Sequence, residues 1–326
     1  MKNKLLAGLS GLYFVAYQID KMYKLLQMKK LNTPLISIGN VEMGGTGKTQ
    51  LTCWLVEKLI EKNKKIAVLS RGYRGKYRGI VSPSTSSAGD EILMMAKYFS
   101  NYLDQVVFYA DPKRLRAAGK LFQLGFSPDL YILDDGFQHY CLYRNLDIVL
   151  IDAKNPRGGG LFPAGRLREP FSKINRADLI LFTRCQSEQN RDECLNIIKP
   201  YLQKKLKVLF SEFILDKIIY QGQKLDGNYS YFLATAIGKP MQLMNQLKSS
   251  GLNIAGSRFF RDHHNFSKKE ILEIKKEAER LKCNYVLMTE KDQVKVDFPV
   301  AVCHSSIKFF HEDEHILIEE VLNCLN

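Results

Sequence analysis

The sequence lacks the features of secreted and disordered chains. It has no low-complexity tract, and 45% of its 326 residues are hydrophobic, which is enough for a sizeable core. No small-residue cleavage site follows the apolar N-terminal stretch, as a signal peptide would require. We therefore expect a folded globular protein, and the length suits two domains.

Paired cysteines are also missing. The seven cysteines are odd in number and scattered, and no two of them form a Cys-x-x-Cys pair. Disulfide frameworks and cysteine-based zinc sites depend on such regular spacing. The sequence therefore predicts reduced thiols in a cytosolic compartment.

Acidic residues are few relative to basic ones. The chain has 34 Asp and Glu against 48 Lys and Arg, which gives a formal net charge of +14. Such an excess favours an anionic partner, which is a nucleic acid, an acidic membrane surface or a phosphorylated substrate. Charge alone does not choose among the three.

A glycine-rich segment between a predicted strand and a predicted helix is the most informative motif. The apolar run 35–38 precedes it, helix-spaced apolar residues over 51–60 follow it, and it reads Gly44-Gly45-Thr46-Gly47-Lys48-Thr49. Such a turn presents backbone N–H groups and a helix dipole to an anion. In this interpretation Lys48 reaches the β- and γ-phosphates of a nucleotide, and the Thr49 hydroxyl ligates Mg²⁺. Glu42 stands where the strict pattern has its first glycine, and a plain glycine-rich turn is the alternative.

Apolar runs alternate with helical patterns after this loop. Strands are predicted over residues 66–69, 106–108, 130–133, 148–151 and 179–182. This alternation predicts a mostly parallel sheet with helices on both faces, as in P-loop NTPases. Ligands of such sheets bind beyond the carboxyl ends of the strands, so the residues after each run are the candidates for chemistry.

Polar residues follow two of these strands. Ser70 and Arg71 come after the second strand and suit a phosphate or a sugar, although arginine–glycine loops are also common solvent turns. Asp134 and Asp135 follow the strand 130–133 in the Walker B arrangement, in which one carboxylate holds the Mg²⁺ bound to Thr49. The alternative for the aspartates is a plain turn.

Two further segments carry charged candidates with structural alternatives. Asp90 opens a helical pattern, where an N-cap role explains it without any catalysis. The Gly- and Pro-rich segment 155–170 is too long for a simple connector. Its Arg166, Arg168 and Glu169 are candidates to clamp phosphate and metal, and a flexible surface loop is the alternative.

The N-terminal residues form a basic amphipathic pattern over 1–30. Lysines concentrate at its two ends, and its uncharged part, from Leu5 to Ile19, is shorter than the ~20 residues of a spanning helix. This pattern predicts a helix that lies in the interface of an anionic membrane. The alternative is an ordinary helix packed on its own domain. Its three- and four-residue steps place apolar side chains at Leu5, Leu9, Leu12, Ala16, Ile19, Tyr23 and Leu26.

A smaller α/β domain is predicted for residues 211–326, after a kinase-type domain over 31–210. Extended chain over 208–220 leads into it, and a closing helix is predicted over 312–325. Ser267 and Glu270 have the spacing of a capping box. His263 and His264 suit a metal pair, an acid–base group or a satisfied turn, and the lack of a third ligand at suitable spacing argues against metal.

Several of these stretches together resemble the tetraacyldisaccharide 4′-kinases of lipid A biosynthesis. The most specific are Asp134-Asp135-Gly136-Phe137-Gln138-His139 and Leu167-Arg168-Glu169-Pro170, and the likeness runs to about residue 295. The resemblance implies two α/β domains with an ATP cleft between them and an N-terminal membrane helix. It also implies transfer of the ATP γ-phosphate to the 4′-hydroxyl of an acylated glucosamine disaccharide 1-phosphate, at the cytoplasmic face of the inner membrane. No nucleic acid and no obligate protein partner are expected.

The resemblance also implies roles for individual residues. Asp90 would take the proton of the acceptor hydroxyl with the help of His263, and Lys48 and Arg168 would complete the catalytic set. Asp134, Asp135 and Glu169 would serve Mg²⁺ together with Thr49. The substrate contacts implied by position are Asn40, Ser70, Arg71 and His139. Arg166 stands where many members of the family have proline.

A membrane-bound switch ATPase of the type that positions division sites is the main rival. Such proteins share the Gly-Gly-x-Gly-Lys-Thr loop and an amphipathic membrane helix. They also need a second lysine at the start of the loop, where this chain has Met43. A nucleic-acid-binding ATPase has only the charge in its favour, because no recognition motif is present.

Overall fold

The computed structural model describes residues 2–202 and 206–325, with side chains from residue 8 onward. Met1 of the predicted membrane helix, and the side chain of Leu5, therefore lie outside the described part. The helices are α1 (Lys2–Leu26), α2 (Lys48–Ile60), α3 (Asp90–Tyr98), α4 (Arg114–Gln123), α5 (Glu188–Ile198), α6 (Pro240–Ser249), α7 (Lys268–Arg280), α8 (Glu290–Gln293) and α9 (Asp313–Asn323). Short 3-10 turns occupy Ser100–Tyr102, Phe171–Arg176 and Lys199–Tyr201.

The strands of the described residues join into one sheet of 13 strands. They are β1 (Leu35–Asn40), β2 (Ile66–Ser70), β3 (Gly79–Ile80), β4 (Val106–Ala110), β5 (Leu130–Asp134), β6 (Leu146–Asp152), β7 (Leu179–Thr183), β8 (Lys207–Tyr220), β9 (Gln223–Lys224), β10 (Ser230–Thr235), β11 (Asn253–Phe259), β12 (Tyr285–Thr289) and β13 (Ala301–Phe309). The order is β11-β10-β12-β13-β8-β7-β6-β1-β5-β2-β4-β3, with β9 beside β8.

The predicted strands of the N-terminal half are confirmed, each within two residues at either end. They are buried along their whole length, as expected for parallel strands covered on both faces. In this half β1 lies between β5 and β6, and these pairings are parallel. The phosphate loop after β1 and the aspartates after β5 therefore reach the same edge of the sheet as neighbours.

The long strand β8 connects the two halves of the molecule. Its first residues pair with β7 in parallel, and from Ser211 onward it pairs with β13 in the antiparallel direction. The predicted boundary near residue 211 coincides with this exchange of partners. The division into separate domains remains a prediction, because the sheet itself is continuous there.

The C-terminal helix packs on the core of the N-terminal half. Leu317 and Val321 of α9 are fully buried in one cluster with Leu51 and Leu55 of α2. At the end of β13, Phe309 lies against Trp54 with ring centroids 4.7 Å apart. A sequence pattern at residues 312–325 predicts the helix correctly but not where it packs.

Helix α1 is long and presents its apolar side chains outward. Leu12, Ile19, Met22 and Leu26 are all more than half exposed. Among the described residues, no helix combines the length and the apolar character needed to cross a bilayer. The opposite face of α1 packs on the segment around residues 161–169, through Ser10 and Tyr13.

Candidate active site

The phosphate loop has the conformation that its glycines predict. Gly44 and Gly47 have φ values of +120° and +95°, a region that side chains with a Cβ rarely adopt. Helix α2 begins directly after Gly47, so its free N–H groups face the loop. Glu42 has no positive φ, and position 42 therefore does not need the glycine of the strict pattern.

The Gly- and Pro-rich segment after β6 supports this loop from the side. The Met43 N–H donates to the Arg166 carbonyl at 2.7 Å, and the Arg168 N–H donates to the Val41 carbonyl at 2.7 Å. The Arg166 guanidinium donates back to the Met43 carbonyl at 2.6 Å. The segment is thus ordered against the loop, and Arg166 supports the backbone there.

The two aspartates after β5 differ in their surroundings. Asp134 is almost fully buried, and its Oδ2 accepts from the Ser70 hydroxyl at 3.3 Å. Burial, and then the carboxylates of Glu91 and Asp135, raise the pKa of Asp134. Asp135 lies 3.4 Å from Lys48 Nζ and accepts from Arg168 at 2.9 Å.

The charge states of these aspartates follow from their neighbours. Burial alone would raise the pKa of Asp135, but the charges of Lys48 and Arg168 outweigh it and lower that pKa. Asp135 is therefore a carboxylate at neutral pH. Because Lys48 belongs to the phosphate loop, this contact joins the phosphate loop to the aspartates that follow β5.

The donors present at this edge suit a magnesium ion. Among the described residues the Asp134 Oδ1 atom is buried without a hydrogen-bond partner, so it is an oxygen available for a cation. Mg²⁺ takes oxygen ligands and is usually held by one or two protein groups plus substrate phosphates. Within the described part of the chain there is no cluster of three or more His, Cys, Asp or Glu that could hold a metal by itself. The site thus fits an ion that arrives with a phosphate ligand.

Asp90 and His263 meet across the two halves of the molecule. The His263 Nδ1–H donates to Asp90 Oδ2 at 2.8 Å, although the residues are 173 positions apart. Burial would raise the pKa of Asp90, but His263 and Lys295 outweigh it and lower that pKa. The N-cap of α3 is Gly89 with no side-chain cap, so the capping explanation for Asp90 is wrong.

Two predicted site residues have structural partners instead. Both oxygens of the fully buried Glu169 accept from Arg176, and they also accept from Gln138 at 2.7 Å and from Tyr17 at 2.8 Å. The lone pairs that a metal would need are thus engaged, which argues against Glu169 as a magnesium ligand. Asn40 is fully buried under the loop and donates to Thr46 Oγ1 at 3.0 Å. Asn40 therefore supports the loop through its Nδ2, while its Oδ1 has no hydrogen-bond partner among the described residues, and its expected substrate contact stays a prediction.

The chain also matches a described protein family. The family model for tetraacyldisaccharide-1-P 4′-kinase covers residues 2–324. The chain belongs to this kinase family. The kinase is similar to a tetraacyldisaccharide 4′-kinase of Geobacter sulfurreducens, 32% identical over 305 residues that cover 90% of this chain and 84% of the relative. A second tetraacyldisaccharide 4′-kinase, from Desulfotalea psychrophila, is 34% identical over 312 residues that cover 90% of this chain and 86% of the relative.

A solved structure agrees with the kinase over its whole length. The crystal structure of LpxK from Aquifex aeolicus in complex with ATP aligns with a TM-score of 0.77 and 26% identity, and it covers 100% of both chains. The P-loop-type fold expected from the sequence is thereby confirmed.

The remaining predicted substrate contacts of the kinase lie along the same edge. The Ser70 hydroxyl donates a hydrogen bond to Asp134, and Arg71 is exposed on the loop that follows β2. His139 follows the aspartates, and its Nε2 is buried without a partner among the described residues. Burial, and then the charge of Arg114, lower the pKa of His139 to about 3, so its imidazole is neutral.

Two lysines near Asp90 and His263 were not predicted from the sequence. Lys291 Nζ donates to His263 Nε2 at 3.1 Å and lies 3.2 Å from Glu91. Lys295 Nζ lies 3.3 Å from Asp90. The signal that marks Lys291 is the polar stretch after β12, at the carboxyl end of a strand, but it assigns no partner.

Proposed function

We propose that the kinase transfers the γ-phosphoryl group of ATP to the 4′-hydroxyl of an acylated glucosamine disaccharide 1-phosphate. The observation that carries the proposal is the hydrogen bond between Asp90 and His263, at the sheet edge that also holds Lys48 and Asp135. A carboxylate held by an imidazole suits the activation of a hydroxyl acceptor. A simple ATPase switch has no use for a histidine from the second half of the chain at this point.

Asp90 orients the acceptor hydroxyl and receives its proton as the phosphoryl group is transferred. Because Lys291 donates to Nε2 of His263, the ring proton lies on Nδ1, which donates to Asp90. This arrangement keeps the carboxylate ionised and fixes its orientation. His263 itself has φ +62°, a sparsely populated conformation that the fold maintains at this point.

Lys48 and Arg168 neutralise the charge that spreads over the transferring phosphoryl oxygens. Both side chains now contact Asp135, so they are held together at one place before ATP binds. Thr49 and Asp134 would hold Mg²⁺, and Asp135 would join them once phosphate competes for its two cations. The ion supplies charge neutralisation at the β- and γ-phosphates when it is bound.

We also propose that the kinase acts at the cytoplasmic face of the inner membrane. The exposed apolar residues of α1 and the formal net charge of +14 support attachment to an anionic surface. An acylated substrate would approach along the same surface. On this proposal the partners are the lipid acceptor and the membrane, with no nucleic acid.

The decisive test is the fate of the labelled γ-phosphate. Purified protein is incubated with γ-labelled ATP, with and without the acylated disaccharide 1-phosphate, beside the folded Lys48→Ala variant. We expect label in the lipid only with wild-type protein and acceptor. Release of inorganic phosphate at a rate independent of the lipid, with none of it transferred, would favour the switch ATPase.

A further inference from the structure

A buried lysine from the second half of the chain lies against the carboxylate of Asp90. Lys295 follows α8 directly, and its side chain is only 6% exposed. Its Nζ lies 3.3 Å from Asp90 Oδ2, the same oxygen that accepts from His263 at 2.8 Å. In the part of the chain that the structure describes, no other residue contacts Asp90 Oδ1 through a hydrogen bond or an ion pair. One oxygen of Asp90 is therefore held by the second half of the chain, and the other is available to a ligand.

The position of Lys295 is fixed by a second carboxylate, that of Asp292. Asp292 is fully buried, and its Oδ1 accepts from Lys295 Nζ at 3.3 Å. Its Oδ2 accepts from the hydroxyls of Thr235 and Thr289 at 2.7 and 2.8 Å, and from the Ala236 N–H at 3.1 Å. These three donors lie at the ends of β10 and β12, so the carboxylate cannot turn without losing several hydrogen bonds. Asp292 thus joins Lys295 rigidly to the sheet of the second half.

Charge balance alone does not require the contact between Lys295 and Asp90. A buried ammonium needs a carboxylate partner, and Asp292 already provides one. The neighbouring Lys291 acts in a similar way, because its Nζ donates to His263 Nε2 at 3.1 Å. One short segment thus supplies a cation to the carboxylate of the pair and another to its imidazole.

Lys295 does not make Asp90 a stronger base. Burial would raise the pKa of Asp90, but His263 and then Lys295 outweigh it and lower that pKa. A carboxylate with a lower pKa takes up a proton less readily. Phosphoryl transfer, however, depends mainly on how the attacking oxygen is positioned and on the surrounding charge. Any benefit from Lys295 must therefore come from the orientation of the carboxylate.

We propose that Lys295, held by Asp292, is a positioning residue for phosphoryl transfer, which fixes Oδ2 of Asp90 and thereby presents Oδ1 to the acceptor hydroxyl. The proposal rests on the proposed function, because it concerns the same transfer. In that step the hydroxyl oxygen forms a bond to the γ-phosphorus, and the bond from this phosphorus to the bridging oxygen of the departing ADP breaks. The hydroxyl proton passes to Asp90 Oδ1. Lys295 acts through the carboxylate and takes no part in the bond changes.

The test measures kcat and KM for the transfer of label from γ-labelled ATP to the acylated acceptor. Lys295→Met should lower kcat about 10- to 100-fold, the range for hydrogen bonds to a charged group, and leave KM for both substrates nearly unchanged. Lys295→Arg keeps the charge and should recover part of the loss. In the Asp90→Ala background, Lys295→Met should cost little more, because the group that it positions is gone. The matched control is Lys276→Met in α7, an exposed lysine whose loss should leave kcat unchanged.

A folding control is needed because Lys295→Met leaves Asp292 buried without its cation. The variant that combines Lys295→Met with Asp292→Asn removes both charges and keeps a side chain that can accept hydrogen bonds. We expect its melting temperature to recover toward the wild-type value while kcat stays low. Recovery of kcat together with the melting temperature would show that Lys295 only stabilises the fold, and the proposal would be overturned.

The outcomes separate the positioning role from the function on which it rests. If wild-type protein transfers no label to the acceptor, the proposed function fails. If wild-type protein transfers label and Lys295→Met has the same or a higher kcat, the function stands and the positioning role is wrong. An equal fold loss from Lys295→Met with and without Asp90 would mean that the lysine does not act through this carboxylate, which also contradicts the proposal.

Discussion

Asp90 and His263 share one hydrogen bond, so their contributions to phosphoryl transfer should overlap. A positioned base typically contributes about 10²–10⁴-fold, and Asp90→Ala should lower kcat within that range. His263→Ala added to Asp90→Ala should cost little more, because the imidazole acts through the carboxylate that is already gone. Single-turnover rates of both single variants and the double variant measure this directly.

The melting temperatures of the same variants are the control. Loss of a stabilising contact alone would lower the melting temperature and leave kcat near normal. Fully multiplicative losses in the double variant would mean that the two side chains act independently, and the pair would then be removed from the mechanism.

The buried imidazole of His139 should make stability sensitive to acid. Its pKa is lowered to about 3 from the ordinary 6.5, mainly by burial. As pH falls below 6.5 the unfolded chain takes up the proton while the folded chain does not, so stability present above pH 6.5 is lost on acidification. Between pH 7 and pH 5 the titration of this group should lower the free energy of unfolding by about 2 kcal/mol. Urea unfolding in phosphate-free buffer should show a smaller drop over that interval in His139→Gln.

That comparison has a clear contrary outcome. If the free energy of unfolding falls equally in wild-type protein and His139→Gln between pH 7 and pH 5, the imidazole is not held neutral by burial.

At this scale the sequence identified candidate residues better than their partners. The aspartates after β5 and the lysine of the loop were predicted from their positions after strands, and they do lie together. Asn40 and Glu169 were assigned to substrate and to metal by motif resemblance. In the structure Asn40 donates to Thr46, and Glu169 accepts from Gln138. A motif preserves residue types, but a buried polar side chain is used by whichever partner the fold brings to it.

Helix α1 has an inner and an outer face, and substitutions on the two faces should have different effects. Its inner face contributes Tyr17, which donates to the buried Glu169 at 2.8 Å, and Tyr13, which donates to the Arg168 carbonyl at 2.9 Å. Tyr17→Phe should lower the free energy of unfolding by ~1–3 kcal/mol, because Glu169 loses a donor. Turnover on detergent-dispersed acceptor should fall as well, because Arg168, which is proposed to contact the transferring phosphoryl group, is adjacent to Glu169 in the chain.

The outer face gives the matched variant. Leu12 and Ile19 are 70% and 66% exposed, so their joint replacement by Ser should leave unfolding nearly unchanged. Sedimentation with anionic vesicles should weaken in that double variant and persist in Tyr17→Phe. If the outer variant still sediments like wild-type protein at moderate salt, another surface attaches the kinase.

The elements themselves were largely predictable from local pattern. Strands β1, β2 and β4 to β8 lie where the sequence pattern predicts them, and the capping box of Ser267 and Glu270 is present. Strands β3, β9, β11 and β13 were not predicted. β13 runs through His304 and two serines, whose polar side chains interrupt the apolar pattern that marks a strand. Its pairing with β8 makes it a strand, and that pairing is not local.

At the scale of the whole molecule, local pattern does not predict that the C-terminal helix α9 packs on the core of the N-terminal half. The sequence suggests two domains, each with its own core, whereas α9 is packed against α2. Strand β8 contributes to both halves of the sheet. Contacts between residues about 250 positions apart leave no periodic signal in either segment, so a pattern argument cannot place them.

This shared core predicts that the two halves unfold together. Trp54 is the single tryptophan of the chain, lies in α2 and touches Phe309 at the end of β13. Its fluorescence should therefore change at the same urea concentration as the far-UV circular dichroism of the whole protein. Leu317→Ala in α9 should lower the free energy of unfolding by ~2–5 kcal/mol, because it opens a cavity beside α2. Both transitions should then shift together to lower urea concentration. Leu272→Ala in α7 is the matched control, since Leu272 is 58% exposed and should cost little. Two separate transitions in wild-type protein, or a Leu317→Ala change that leaves the Trp54 transition in place, would show that the C-terminal helix does not stabilise the nucleotide-binding half.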